Sequence, residues 1–151
     1  MSIFPTKILL ATDGSRDAEL ARTTAIDLAN STNLELHVVT VAPGYPSYDV
    51  GNPAVVEQLR RQAEDILNEQ AAKIEQEGSK VAQKHFRIAE RYRADQIVQV
   101  AEDIGAGLIV MGSRGLGGVR RALIGSVSDS VVRHAHYPVL VVRPEKEQAA
   151  A

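Results

Sequence analysis

The run Leu108-Ile109-Val110-Met111-Gly112-Ser113-Arg114-Gly115 passes from an apolar strand into a loop studded with Gly and Arg, and Gly125-Ser126 then opens a helix. Glycine lets a backbone approach an anion closely, and the first N–H groups of a helix have no internal partners. The chemistry on offer is the binding of a phosphorylated ligand. Arg114, Arg120 and Arg121 add positive charge with no acidic residue until Asp129, and Ser126, Ser128 and Ser130 add hydroxyls. A plainer reading stays open beside it. Ser126-x-x-Asp129 is a capping-box pattern, so a connector leading into a helix capped by Ser126 explains part of the signal. The length of the connection favours function, because connectors of this kind need only about two to six residues.

The two commonest nucleotide motifs are absent. Gly112 to Gly117 has the Walker A gap, but Gly118 stands where the phosphate-binding Lys belongs. No G-x-G-x-x-G leads directly from strand to helix. Asp13, just after the first strand, is either a turn aspartate ahead of Gly14 or a carboxylate for ribose hydroxyls or a divalent cation. The next helix opens with Asp17 and Glu19, a poor seat for phosphate, so phosphates belong toward Arg114 and Ser126 and the nucleoside toward Asp13 and the second strand. His134 and His136 have the look of a metal pair without further ligands, and cations at a helix C-terminus are favourable in any case. His37 and His85 read as strand residues. No nucleophile elbow G-x-S-x-G occurs, and the third strand ends in Ala89-Glu90 without a phosphoacceptor Asp.

Composition sets the frame for these residues. The chain has 151 residues, 44% of them hydrophobic, enough for one ordinary domain spanning 1–151. A net charge of −2 offers no general attraction to nucleic acid or anionic membranes. There is no cysteine, which removes disulfides, thiolate metal sites and Cys nucleophiles. Neither a signal peptide nor an apolar run of membrane-spanning length is visible, so the expectation is a cytoplasmic protein with no membrane partner.

The elements that must position the loop alternate regularly. Lys7 to Thr12 reads as a strand, and Ala18, Ala21, Ala25, Leu28 and Ala29 mark a helix over Asp17 to Ser31. Leu34 to Val41 is a second strand, followed by a loop running to Pro53. A long helix over Pro53 to Glu77 carries an inner stripe of Val55, Leu59, Ala63, Ile66, Leu67 and Ile74, with Gly78 as its cap. Ala82 to Ala89 is a weaker strand, Asp95 to Ile104 a helix ended by Gly105, and Ala106 to Met111 the fourth strand. Ser126 to Ala135 is the final helix and Val139 to Val142 the fifth strand, and the polar tail from Glu145 to Ala151 is expected to fray. Strands alternating with helices predict an α/β fold, a five-stranded parallel sheet with helices on both faces. The typical order 3-2-1-4-5 would place a crevice between strands 1 and 4, with Asp13 and Gly112 on opposite walls.

At these positions the chain resembles the universal stress proteins. Gly112, two residues, Gly115, nine residues, then Gly125-Ser126 matches that family's signature, and the flanks Ile8 to Ser15 and His134 to Arg143 are similar to it too. The resemblance covers nearly the whole chain. It implies a Rossmann-like fold of the adenine nucleotide alpha hydrolase type and binding of ATP, or of AMP or cyclic AMP, with Mg²⁺ or Mn²⁺ at the phosphates. Ala11, Thr12 and Asp13 would line the adenosine side, with Asp13 toward the ribose or the metal, and Val41 would offer backbone hydrogen bonds to adenine. Met111, Gly112, Arg114 and Gly115 would wrap ribose and phosphates, and Gly125, Ser126, Val127 and Ser128 would cradle the phosphates. Two positions depart from the pattern, Tyr92 where the family often has Gly and Gly107 where Asp is frequent. No general base is apparent, so the expected role is regulatory and linked to stress, with little or no catalysis. A dimeric interaction module that does not depend on nucleotide, and a slow ATPase or phosphotransfer enzyme, are the alternatives. The apolar edge Val139 to Val142 invites pairing with a second copy, as the resemblance also implies, and predicts a homodimer.

Overall fold

The computed structural model describes residues 7–44, 53–113 and 125–144. The elements alternate as β1 (Lys7–Ala11), α1 (Arg16–Thr32), β2 (Glu35–Ala42), α2 (Pro53–Gln76), β3 (Val81–Ile88), α3 (Arg93–Ile104), β4 (Leu108–Gly112), α4 (Ser126–His134) and β5 (Val139–Val142). All neighbouring strands pair in parallel, in the order β3-β2-β1-β4-β5. The predicted sheet and order are therefore found, with boundaries moved by one or two residues.

Each strand feeds two cores, because successive side chains point to opposite faces. Ile8, Leu10, Leu36, Val38, Leu108 and Val110 meet α1 and α2 on one face. Leu9, Ala11, Val39, Ile109 and Met111 meet α3 and α4 on the other. β1 and β4 are accordingly apolar without a break from Ile8 to Ala11 and from Leu108 to Met111, as burial on both faces requires. Helix α1 lies close to the sheet because its inner row is Ala18, Ala21, Ala25 and Ala29, all buried. It ends at Asn33 in the left-handed region, φ 58°, a conformation Asn tolerates better than most residues.

Two expectations need correction. The α2 stripe is buried only from Ala63 onward, at Ala63, Leu67, Gln70, Ala71 and Ile74, while Val55 is 38% exposed and Leu59 half-buried. The first turns of α2 thus carry apolar residues outside the core. Buried Gln70 replaces an apolar residue in the inner row because Arg22 of α1 lies against it. The Arg22 guanidinium donates to Gln70 Oε1 at 2.8 Å and to Glu77 Oε2 at 3.0 Å, and pairs with Glu19. That buried cation is held on three sides and joins α1 to α2. The second correction concerns α4. Its N-cap is Gly125, not Ser126, and Asp129 N–H closes the first helical bond on Gly125 O at 2.9 Å. Ser126 is already in the first turn and exposed, so the capping box does not form.

Gly78 and Gly105 end α2 and α3 as expected, at φ 92° and 67°. Tyr92 is the N-cap of α3 at φ −124°, an extended conformation that does not call for glycine. Residues 45–52 of the second loop, Arg114 and Gly115, and the tail from 145 lie outside the described residues.

Candidate functional site at the strand-order reversal

Strand β1 is flanked by β2 on one side and β4 on the other, so the order reverses between β1 and β4. In sheets of this kind ligands bind beyond the carboxyl ends of the strands at that reversal. Ala11 is level with Val39 across one ladder and with Met111 across the other, which brings the three strand exits to one height.

The exit from β1 is tightly bonded. Thr12 N–H donates to Val39 O at 3.0 Å, and the Thr40 hydroxyl donates to Thr12 O at 3.0 Å. Gly14 N–H then donates to Thr12 Oγ1 at 3.2 Å and Ser15 N–H to Asp13 Oδ1 at 2.9 Å. Gly14 sits at φ 75° with its Cα facing Ile66 of α2. Ser15 is the N-cap of α1 and accepts from Ala18 N–H. Asp13 thus follows the exit of β1, beside the strand-order reversal, and carries an Asx-type turn.

Val41 falls where β1 no longer covers β2. Val39 O points toward β1, since it accepts from Thr12, and Ala42 O points toward β3, since it accepts from Ala89 N–H at 2.9 Å. Backbone groups alternate sides along a strand. Val41 N–H and C=O therefore face the β1 side, two residues beyond Val39, the partner of the last β1 residue Ala11. This is an unladdered donor and acceptor pair on the crevice rim.

The β4 exit has a different construction. Gly112 packs so closely on α1 that a Cβ there would lie 2.7 Å from the Asp17 carbonyl carbon and 2.9 Å from Ala18 N. Beyond it, Ser113 N–H donates to Val142 O at 2.9 Å, and the Ser113 hydroxyl donates to the buried Asp17 carboxylate at 2.9 Å. Ser113 O accepts from Gly125 N–H and from the Ser128 hydroxyl, the latter at 2.8 Å. The start of α4 is thereby fixed to the end of β4. Among the described residues no side chain caps α4, and Gly125 has none to offer. Its first-turn N–H groups are the kind of donor set that receives anions. Val127 is half-buried against the second core, while the Ser128 hydroxyl is committed to backbone carbonyls.

Ala11, Thr12, Asp13, Val41, Met111, Gly112, Gly125, Ser126, Val127 and Ser128 are brought to the carboxyl end of the sheet by these elements. Two polar features escaped the sequence. One is the Asp17–Ser113–Ser128 chain. The other is a stacked histidine pair below the site, with His37 Nδ1 3.1 Å from His85 Nε2 and ring centroids 5.3 Å apart. Both rings are buried, and burial pushes both pKa values down, with the neighbouring ring adding to the effect at His85. His37 Nε2 has no hydrogen-bond partner among the described residues. His134 and His136 are exposed at the end of α4, and no group of three metal-ligating side chains occurs among the described residues. Nor is any helix among them long and apolar enough to cross a membrane.

These features define a doubly wound parallel α/β protein whose polar strand exits meet at its strand-order reversal. The sequence profile of the universal stress protein family matches residues 5–143. A universal stress protein of Methanocaldococcus jannaschii is 35% identical over 148 residues, covering 94% of this chain and 84% of the relative. The chain belongs to the universal stress protein family. Among solved structures, a family member from Burkholderia pseudomallei superposes with a TM-score of 0.72 at 28% identity, covering 94% of this chain and 98% of that one. A universal stress protein in complex with cAMP does so with a TM-score of 0.70 at 25% identity, covering 93% and 98%.

Proposed function

We propose that the protein is a cytoplasmic regulator that binds an adenine nucleotide, ATP foremost, in the crevice between β1 and β4, with little or no turnover. The observation that carries this reading is the start of α4, a helix opened by glycine and joined through Ser113 to the end of β4. Phosphates would lie on the N–H groups of Ser126, Val127 and Ser128, with Arg114 and Gly115 closing over them. Adenine would read the unladdered backbone of Val41, and the ribose would lie between Ala11, Thr12, Asp13 and Met111. A related protein in complex with cAMP supports an adenosine-type ligand and keeps AMP and cyclic AMP as alternatives.

The residues fit a nucleotide better than they fit a resident metal. Asp13 is one carboxylate, so Mg²⁺ or Mn²⁺ would arrive on the phosphates and use Asp13 as a single protein ligand. Such an ion would neutralise phosphate charge beside an acidic wall. Calorimetry with ATP, AMP and cyclic AMP, with and without Mg²⁺, tests the reading on wild type and Gly115→Val. The β-branched side chain should hinder backbone approach and weaken ATP by about tenfold or more. Absence of binding at millimolar nucleotide would overturn it, and rapid ATP turnover would favour a phosphotransfer enzyme instead.

A second reading has its own observation. β5 is an edge strand of four apolar residues, and Leu140 is 37% exposed on it. Such an edge suits pairing with a second copy. The homodimer is compatible with nucleotide binding, and would remain as a plain interaction module if no nucleotide binds. Sedimentation showing a monomer at micromolar concentration would sink it.

A further inference from the structure

The Asp17 carboxylate lies in the first turn of α1, where an acid is ordinarily read as complementing the helix dipole. Its surroundings say more. Asp17, Ser113 and Ser128 are 5%, 1% and 2% exposed, a buried polar chain running between α1, β4 and α4. Ser113 donates its hydroxyl to Asp17 Oδ2, and the carbonyl of the same residue receives both Gly125 N–H and the Ser128 hydroxyl. Ser113 is thus gripped from both ends. Its hydroxyl is fixed to α1 and its carbonyl to α4. Gly112 is what lets α1 come near enough, since a Cβ at that position would collide with the Asp17 backbone.

We propose that Asp17 is the positioning residue of the phosphate seat. By holding the Ser113 hydroxyl it sets the rotation of the Ser113 peptide and hence the place of Gly125 and the N–H groups that follow. The role rests on the nucleotide reading of this crevice and deepens it, because it concerns the phosphate end of the ligand and not the nucleoside end. Asp17 acts through Ser113 and touches no ligand. The first glycine of the spacing motif then serves this anchor by admitting the helix.

The charge of Asp17 works the other way, since a carboxylate near a phosphate site repels it. Amide and alanine variants separate the two effects. Asp17→Ala should weaken ATP about tenfold, the scale of one hydrogen bond to a charged group, and leave adenosine within about twofold. Asp17→Asn keeps an acceptor oxygen and should retain ATP binding. The Gly125 amide should exchange with solvent about tenfold faster in Asp17→Ala, with Leu10 in β1 unchanged. Ser113→Ala removes the donor, keeps the charge and should repeat the alanine result if Asp17→Ala folds poorly. Tighter ATP binding in both Asp17 variants would show that charge prevails and overturn the proposal. Equal losses for ATP and adenosine, or an unchanged Gly125 exchange rate, would overturn it as well. Wild type that binds neither ligand overturns the nucleotide reading itself, and the positioning role falls with it.

Discussion

Two helices begin at the same crevice and are finished in opposite ways. At α1, Ser15 caps the helix, Asp13 and Thr12 hold the turn before it, and Asp17 and Glu19 place acid in the first turn. At α4, the cap is Gly125, and the one acid in the first turn, Asp129, is paired with Arg133 at 3.0 Å. The first start is closed by its own side chains, with Asp13 and Asp17 beside it and Glu19 paired with Arg22 and Lys73. The second has no side-chain cap among the described residues, and its acid is paired. A helix N-terminus attracts anions only if its N–H groups are not already spent, so the difference supports the proposed placing of phosphate at α4 and nucleoside on the α1 side.

The sharpest way to break that contrast is to give α4 the cap it lacks. Gly125→Asp should weaken ATP by about a hundredfold, since a carboxylate within a few ångströms of phosphate costs a few kcal/mol. Stability should hold or rise by a few tenths of a kcal/mol, because Asp is at least as good a cap as Gly. Loss of affinity with unchanged or higher unfolding midpoint is the expected signature in parallel calorimetry and denaturation. Equal affinity would remove the phosphate from α4.

Acidification tests whether the contrast depends on the fold beneath it. Neither helix start holds a histidine, but His37 and His85 lie between β2 and β3 with pKa values pushed down by burial. Glu35 and Asp103 oppose this effect, while Lys7 and Arg87 add to it. The unfolded chain therefore takes up protons below about pH 6.5 that the folded chain refuses, so stability is full above that value and falls as pH drops through it. The loss is bounded at about 1.4 kcal/mol per pH unit for each ring. Urea denaturation at pH 7.5 and 5.5 should show it, and His37→Gln with His85→Gln should flatten the dependence.

The smallest effect should come from uncapping α1. Ser15→Ala is expected to cost about 1 kcal/mol of stability and to change ATP affinity less than about threefold. A large loss of affinity in this variant would mean that both helix starts serve the ligand.

The fold was legible because its signals are local. Continuous apolar runs such as Ile8-Leu9-Leu10 announce doubly buried strands, and the Ala row of α1 announces a helix that must lie close. Most of the crevice followed from the order of these elements. What sequence could not show depends on residues brought together from afar. Asp17 and Ser113 are 96 positions apart, and His37 and His85 are 48 apart with a shift of register between Leu36 and His37. The pattern Ser126-x-x-Asp129 offers Ser126 as a cap of α4, and nothing local reveals that Gly125 takes that place, tied to Ser113. The apolar stripe of α2 runs further than its burial because periodicity records which side is apolar, not how far along the helix a sheet accompanies it.

Joining Ser113 to Gly125 has a consequence for how the chain can be edited. Ser113 and Gly125, which flank positions 114 to 124, are hydrogen-bonded to each other, so the fold itself holds the two ends of that span together. Lengthening a span whose ends are already joined is cheap, about 0.6 kcal/mol for each doubling. An inserted peptide tag there should leave the sheet and helices intact while removing nucleotide affinity. Fold and ligand thus place separate demands on this span. The fold asks that Ser113 and Gly125 meet, whereas the proposed ligand would be what holds the nine-residue spacing between Gly115 and Gly125.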